Sequence, residues 1–113
     1  FQSAKSGSRV YDVVSLLYDC RFSLNQNLRN NLLKKYSAVN SWSNDHFNNL
    51  CDIYIAQRNV KILGNFAYMY LQEANKNYLK YLPVVRRFIK NSLNNPILED
   101  VKLWFAENGI WAL

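Results

Sequence analysis

Apolar residues recur three and four positions apart along almost the whole chain, and alternation with a period of two is nearly absent. That pattern predicts helices, so the expected fold class is all-α. A first helix is expected after Ser8 as N-cap, running to about Cys20 and burying Val10, Val13, Val14, Leu16 and Leu17. The small and polar run before it, residues 1–8, reads as a loop. Asn25 predicts a second N-cap, with Leu28, Leu32, Leu33 and Tyr36 on the buried face that follows, and Val39 to Ser43 reads as a loop.

The longest pattern runs from about Ser43 to Leu71, where Phe47, Leu50, Cys51, Tyr54, Ile62, Phe66 and Met69 form one stripe. Gln57, Arg58 and Lys61 interrupt it at places where apolar residues are due. Gly64 costs a helix interior about 1 kcal/mol relative to alanine, which predicts a close packing contact or a functional approach there. After a turn at Glu73 to Asn77, Tyr78 to Leu82 reads as a short helical turn. Pro83 then fits the first turn of a helix carrying Val84, Val85, Phe88, Ile89 and Leu93. Asn95-Pro96 repeats the cap-and-proline signature before a last helix, Ile97 to Phe105, expected to bury Leu98, Val101, Trp104 and Phe105. Gly109 is expected to end that helix or to lie in the tail, residues 106–113.

Composition narrows the function classes. At 113 residues the chain is one domain, and with half its residues apolar and 15% aromatic it can bury a core, which excludes a disordered basic tail. Cys20 and Cys51 sit in apolar contexts and read as buried structural thiols of a reduced, cytoplasmic protein. With His46 they match no zinc spacing. No apolar run approaches the ~20 residues of a membrane span. Fourteen Lys+Arg against eight Asp+Glu give a net charge of +6, and Lys34-Lys35 with Arg86, Arg87 and Lys90 are its clusters. A solvated helix face accounts for them better than nucleic acid does, so no nucleic-acid partner is expected. The glycines, Gly7, Gly64 and Gly109, form no phosphate loop, and His46 has no acidic partner at a useful spacing.

Two blocks carry a resemblance. The opening, Phe1-Gln2-Ser3-Ala4-Lys5-Ser6-Gly7-Ser8 followed by Arg9-Val10-Tyr11-Asp12-Val13-Val14-Ser15-Leu16-Leu17-Tyr18-Asp19, resembles a stretch of the aminoglycoside phosphotransferase family, in which a metal-binding Asp precedes Phe-Gln or Phe-Gly, a short loop and a helix. The second block, Gln57-Arg58-Asn59-Val60-Lys61-Ile62-Leu63-Gly64-Asn65-Phe66-Ala67 with Tyr78-Leu79-Lys80-Tyr81-Leu82-Pro83, is similar to the family's kinases that phosphorylate N-acetylmuramate and N-acetylglucosamine at the anomeric position. Ser8 stands where the family often has Pro, and Val14 where it often has Ala.

The resemblance implies the helical C-terminal lobe of a protein-kinase-like phosphotransferase that uses ATP and Mg2+ on a sugar or amino-sugar hydroxyl. It implies that Asp12 supports the catalytic loop, with an exposed first-turn acid as the plain alternative. Phe1 and Gln2 would flank the metal ligand. Gln57, Arg58 and Lys61 lie where related choline kinases place aromatics that line the substrate, and polar, cationic groups there suit a hydroxylated or acidic sugar. A polar seam bonded to neighbouring loops is the alternative for those three. The family's His-Gly-Asp and following Asn are not in this sequence, and the metal-binding Asp would fall one residue before Phe1. The chain alone is therefore expected to be inactive, to have the missing N-terminal part of the fold as its partner, and to self-associate through apolar surface left open along the first helix and the tail. The opposing expectation is a non-enzymatic helical interaction module with a basic surface.

Overall fold

Helical periodicity is realised along nearly all of residues 6–22, 24–39 and 44–109, the residues that the structure, a computed structural model, describes. The helices are α1 (Ser6–Leu17), α2 (Gln26–Val39), α3 (Asn44–Glu73), α4 (Leu82–Ser92) and α5 (Glu99–Glu107). Short 3-10 turns at Leu79–Tyr81 and Pro96–Leu98 lead into α4 and α5. No strand occurs among the described residues, so the protein is all-α. α4 packs chiefly on α3, and α1 lies along α3 as well.

Several boundaries and faces differ from expectation for geometric reasons. α1 begins at Ser6 and takes in Gly7 and Ser8, so Ser8 is not its cap; of the loop expected over residues 1–8, residues 6–8 are helical and residues 1–5 lie outside the described residues. Val10, Val14 and Leu17 form its buried face, while Leu16 is 68% exposed. At 100° per residue Leu16 points well away from the direction that those three share. In α2 the buried positions are Arg29 and Ser37, with Leu33 and Tyr36 half-buried. Leu28 and Leu32 are exposed, contrary to expectation, because the inward face is the one that carries Arg29.

Capping follows the sequence more closely. The Asn25 side-chain oxygen accepts a hydrogen bond from the Asn27 amide at 2.6 Å. The Asn95 oxygen accepts one from Ile97 at 3.1 Å, and Pro96 takes the first turn beyond it. Pro83 likewise occupies the first turn of α4. α3 ends at Glu73 and is followed by Ala74, held at φ +54, with the Asn75 amide donating back to the Met69 carbonyl at 3.1 Å. Gly109, at φ +64, closes α5 in the left-handed conformation that glycine adopts without a side-chain clash.

Two core clusters meet at α4. Val10, Val14, Leu17, Tyr18, Phe47, Cys51 and Ile55 receive Phe88, whereas Cys20, Ala56, Phe66 and Phe105 pack with Val85, Ile89 and Leu93. Both cysteines are buried and unpaired. The expected stripe of α3 faces inward, with Phe47, Cys51 and Phe66 buried and Leu50, Tyr54, Ile62 and Met69 half-buried, but Ile55, Ala56 and Asn59 are buried too and bridge its polar interruption. On α5 only Phe105 is buried. Val101 is exposed and Trp104 is 54% exposed, which corrects the wide face expected there. Gly64 also departs from expectation, since a Cβ added to it would meet nothing within 4 Å. No helix among the described residues is long and apolar enough to cross a membrane.

Candidate functional site

α1 stops at Leu17, and the turn after it builds a polar seam against the middle of α3. Asp19 is buried and accepts three hydrogen bonds from Arg21: from the backbone amide at 3.0 Å, from Nε at 3.0 Å and from Nη2 at 2.8 Å. These bonds hold the Asp19 carboxyl below the usual carboxylate range against the opposing effect of burial, and the Arg58 charge acts in the same direction as Arg21. Cys20, the next residue, has its thiol pushed up by burial and then by the Asp19 charge. The Arg58 charge is near enough to act on both groups.

The seam extends back along both helices. Tyr11 and Ser15 are four residues apart on α1, before the turn that carries Asp19, and Tyr54 and Arg58 are four apart on α3. Tyr11 meets Tyr54 edge to face at 5.5 Å between ring centroids. Three buried side-chain atoms have no partner among the described residues, Ser15 Oγ and Arg58 Nε being two of them. Asn59 is 0% exposed; its amide nitrogen donates to the Ile55 carbonyl at 2.9 Å, and its Oδ1 has no partner. Buried polar atoms without partners are uncommon in folded proteins, which singles out this seam as the candidate site among the described residues.

The residues singled out from the sequence do not all share this seam. Arg58 belongs to it and is half-buried. Gln57 and Lys61, at i and i+4, are exposed on α3. Asp12 is exposed in the second turn of α1, because that helix starts earlier than expected, so it is not a first-turn acid. No hydrogen bond or ion pair joins Asp12 to Gln57, Arg58 or Lys61 among the described residues. Phe1 and Gln2 lie outside the described residues. His46 is exposed, as are Lys34, Lys35 and Arg87.

Reasoning from apolar spacing missed Arg29, and from the sequence Asn95 reads only as a cap. Arg29 shares a face with Leu33, Tyr36 and Ser37 at intervals of four, seven and eight, a helical signal once a cation is allowed on it. Asn95 does more than cap: its amide nitrogen donates to Asn49 Oδ1 and Asp52 Oδ2, both at 2.9 Å, which ties the approach to α5 onto α3. Burial pushes the Asp52 carboxyl up, and the Asn95 bond pulls it partly back. No group of His, Cys, Asp and Glu among the described residues is arranged to hold a metal ion. Neither a family model nor a curated protein matches this chain.

Proposed function

We propose that this chain is the C-terminal helical part of the substrate lobe of an ATP-dependent phosphotransferase, of the aminoglycoside phosphotransferase kind, acting on a sugar or amino-sugar hydroxyl. The observation that supports this reading is that α1, which carries most of the first block, packs along α3, which carries most of the second. Tyr11 meets Tyr54, one turn before the second block, and the charge of Arg58 reaches Asp19. A lobe that positions one substrate needs its substrate-facing residues brought together in this way.

Phosphoryl transfer depends mostly on positioning and on neutralising charge. In this reading Arg58 and Ser15 supply hydrogen bonds to a hydroxylated or acidic sugar, Gln57 and Lys61 extend that surface on α3, and Asp12 supports the catalytic loop of the adjoining part of the fold. ATP and Mg2+ are bound by the complete assembly, whose His-Gly-Asp segment supplies the base. The buried free thiols fit a reducing, cytoplasmic setting.

The gene sequence upstream of Phe1 tests this first. An Asp immediately before Phe1, with His-Gly-Asp and Asn about 20 residues earlier on the family pattern, is the expected result. An in-frame start codon there, with no partner gene encoding those motifs, would overturn it. A helical interaction module is the competing reading, favoured by the exposed Ile97, Leu103 and Trp104 around α5. That reading predicts self-association or partner binding without phosphoryl transfer.

A further inference from the structure

Beside the turn that joins α1 to α2, the chain forms an open groove of about 560 Å³. Its polar lining is Asn25, Gln26, Arg29, Arg87 and Asn91, and no carboxylate lines it. The volume falls within the range of small-molecule sites, roughly 300–1,000 Å³.

Arg29 is the unusual member, a cation only 6% exposed. Its Nε donates to the Leu17 carbonyl at 2.8 Å and its Nη1 to Gln26 Oε1 at 3.3 Å, while its guanidinium lies 5.2 Å from the Tyr18 ring and 5.0 Å from the Phe88 ring. These contacts fix the guanidinium, yet every one of them is with a neutral group. Two of its N–H groups are engaged, and the rest have no acceptor among the described residues. Completing the end of α1 at Leu17 needs one donor and no charge. Removing a cation from water without an opposite charge is costly, so an anion is the missing partner.

Two further features of the groove point the same way. Arg87 brings a second guanidinium that no ion pair engages among the described residues. α2, a 14-residue helix, begins at the groove with Asn25 and Gln26, so the positive end of its dipole adds to the field. One buried and one exposed guanidinium with a helix end match a dianion better than a single carboxylate, since the neighbouring acid, Asp19, is held by Arg21 and does not line the groove. We propose that this groove binds the phosphomonoester group of a small molecule, with Arg29 as the rigid donor and Arg87 as the exposed one. The exposed Phe22 ring and the Asn91 amide are placed to meet the rest of the ligand. The site is independent of the phosphotransferase reading, because Gln57, Arg58 and Lys61 do not line the groove.

Nitrogen-15 NMR titration of the protein with inorganic phosphate, methyl phosphate and acetate, at constant ionic strength, tests it. Saturable binding of both phosphates is expected, with shifts at the Arg29 Nε–H and the amides of residues 25–27. Acetate should bind at least tenfold more weakly. Arg87→Gln should weaken phosphate binding at least tenfold with unchanged circular dichroism, since Arg87 is exposed, whereas Lys34→Gln on the exposed side of α2 should leave it unchanged. Absence of saturable phosphate binding, equal affinity for acetate, full affinity in Arg87→Gln, or an equal loss in Lys34→Gln would each overturn the proposal.

Discussion

Asp19 shows how much one residue can organise where a helix stops. Its carboxylate takes three hydrogen bonds from Arg21 and so fixes the turn that carries Cys20 against α3 and α4. Because its folded pKa lies below the unfolded value, the ionised form adds stability that is fully present at neutral pH and is lost as pH falls through the unfolded and then the folded pKa. Asp19→Asn is therefore expected to lower the melting temperature at pH 7. The gap from the parent protein should close below about pH 4, as seen in thermal melts across pH. The thiols give a second residue-level prediction. Burial pushes Cys51 up to about 12, so at pH 8 the thiolate is roughly one part in 10⁴. Cys20, raised and buried as well, should share its inertness. Iodoacetamide is expected to label neither thiol in the folded protein and both in denaturant, by mass spectrometry.

At the scale of elements, α3 is the spine and α4 the wedge that joins the two core clusters. Gly64 lies in α3 with open space beside it, so Gly64→Ala should raise stability by about 0.5–1 kcal/mol in chemical denaturation. A loss of stability would instead reveal the close contact that a mid-helix glycine first suggests. Asn95 works in the opposite sense, since it caps the approach to α5 and clamps it onto Asn49 and Asp52. Asn95→Ala should cost about 1–2 kcal/mol, read from the same denaturation curves. Caps and prolines were legible because Asn25, Pro83 and Asn95-Pro96 act through local backbone chemistry. Buried faces were less so. Leu28, Leu32, Val101 and Trp104 have the right spacing for burial, but which side of a helix turns inward depends on what packs against it, and α2 turns in the side that holds Arg29. The candidate site was legible at Arg58, a cation breaking an apolar stripe, but Ser15 and Asn59 joined it only through the crossing of α1 and α3.

For the whole molecule, the length of α3 sets the shape. Thirty residues at about 1.5 Å each give about 45 Å, matching the longest dimension of 45 Å. The radius of gyration, 15.0 Å, exceeds the ~13 Å of a round domain this size, because the end of α3 runs past its partners. Leu71, 74% exposed, and Tyr68 and Tyr70 are the consequence. An elongated helical body with open apolar surface and a net charge of +6 is physically consistent with a lobe that joins other parts of a fold and handles anionic groups. The most direct test of that account is transfer of labelled γ-phosphoryl from ATP, with magnesium, by the polypeptide or complex that unites this chain with a His-Gly-Asp segment. The account predicts transfer to N-acetylmuramate or N-acetylglucosamine, with KM raised at least tenfold in Arg58→Ala and kcat lowered in Asp12→Ala. Absence of transfer to these sugars, to aminoglycosides and to choline would contradict it.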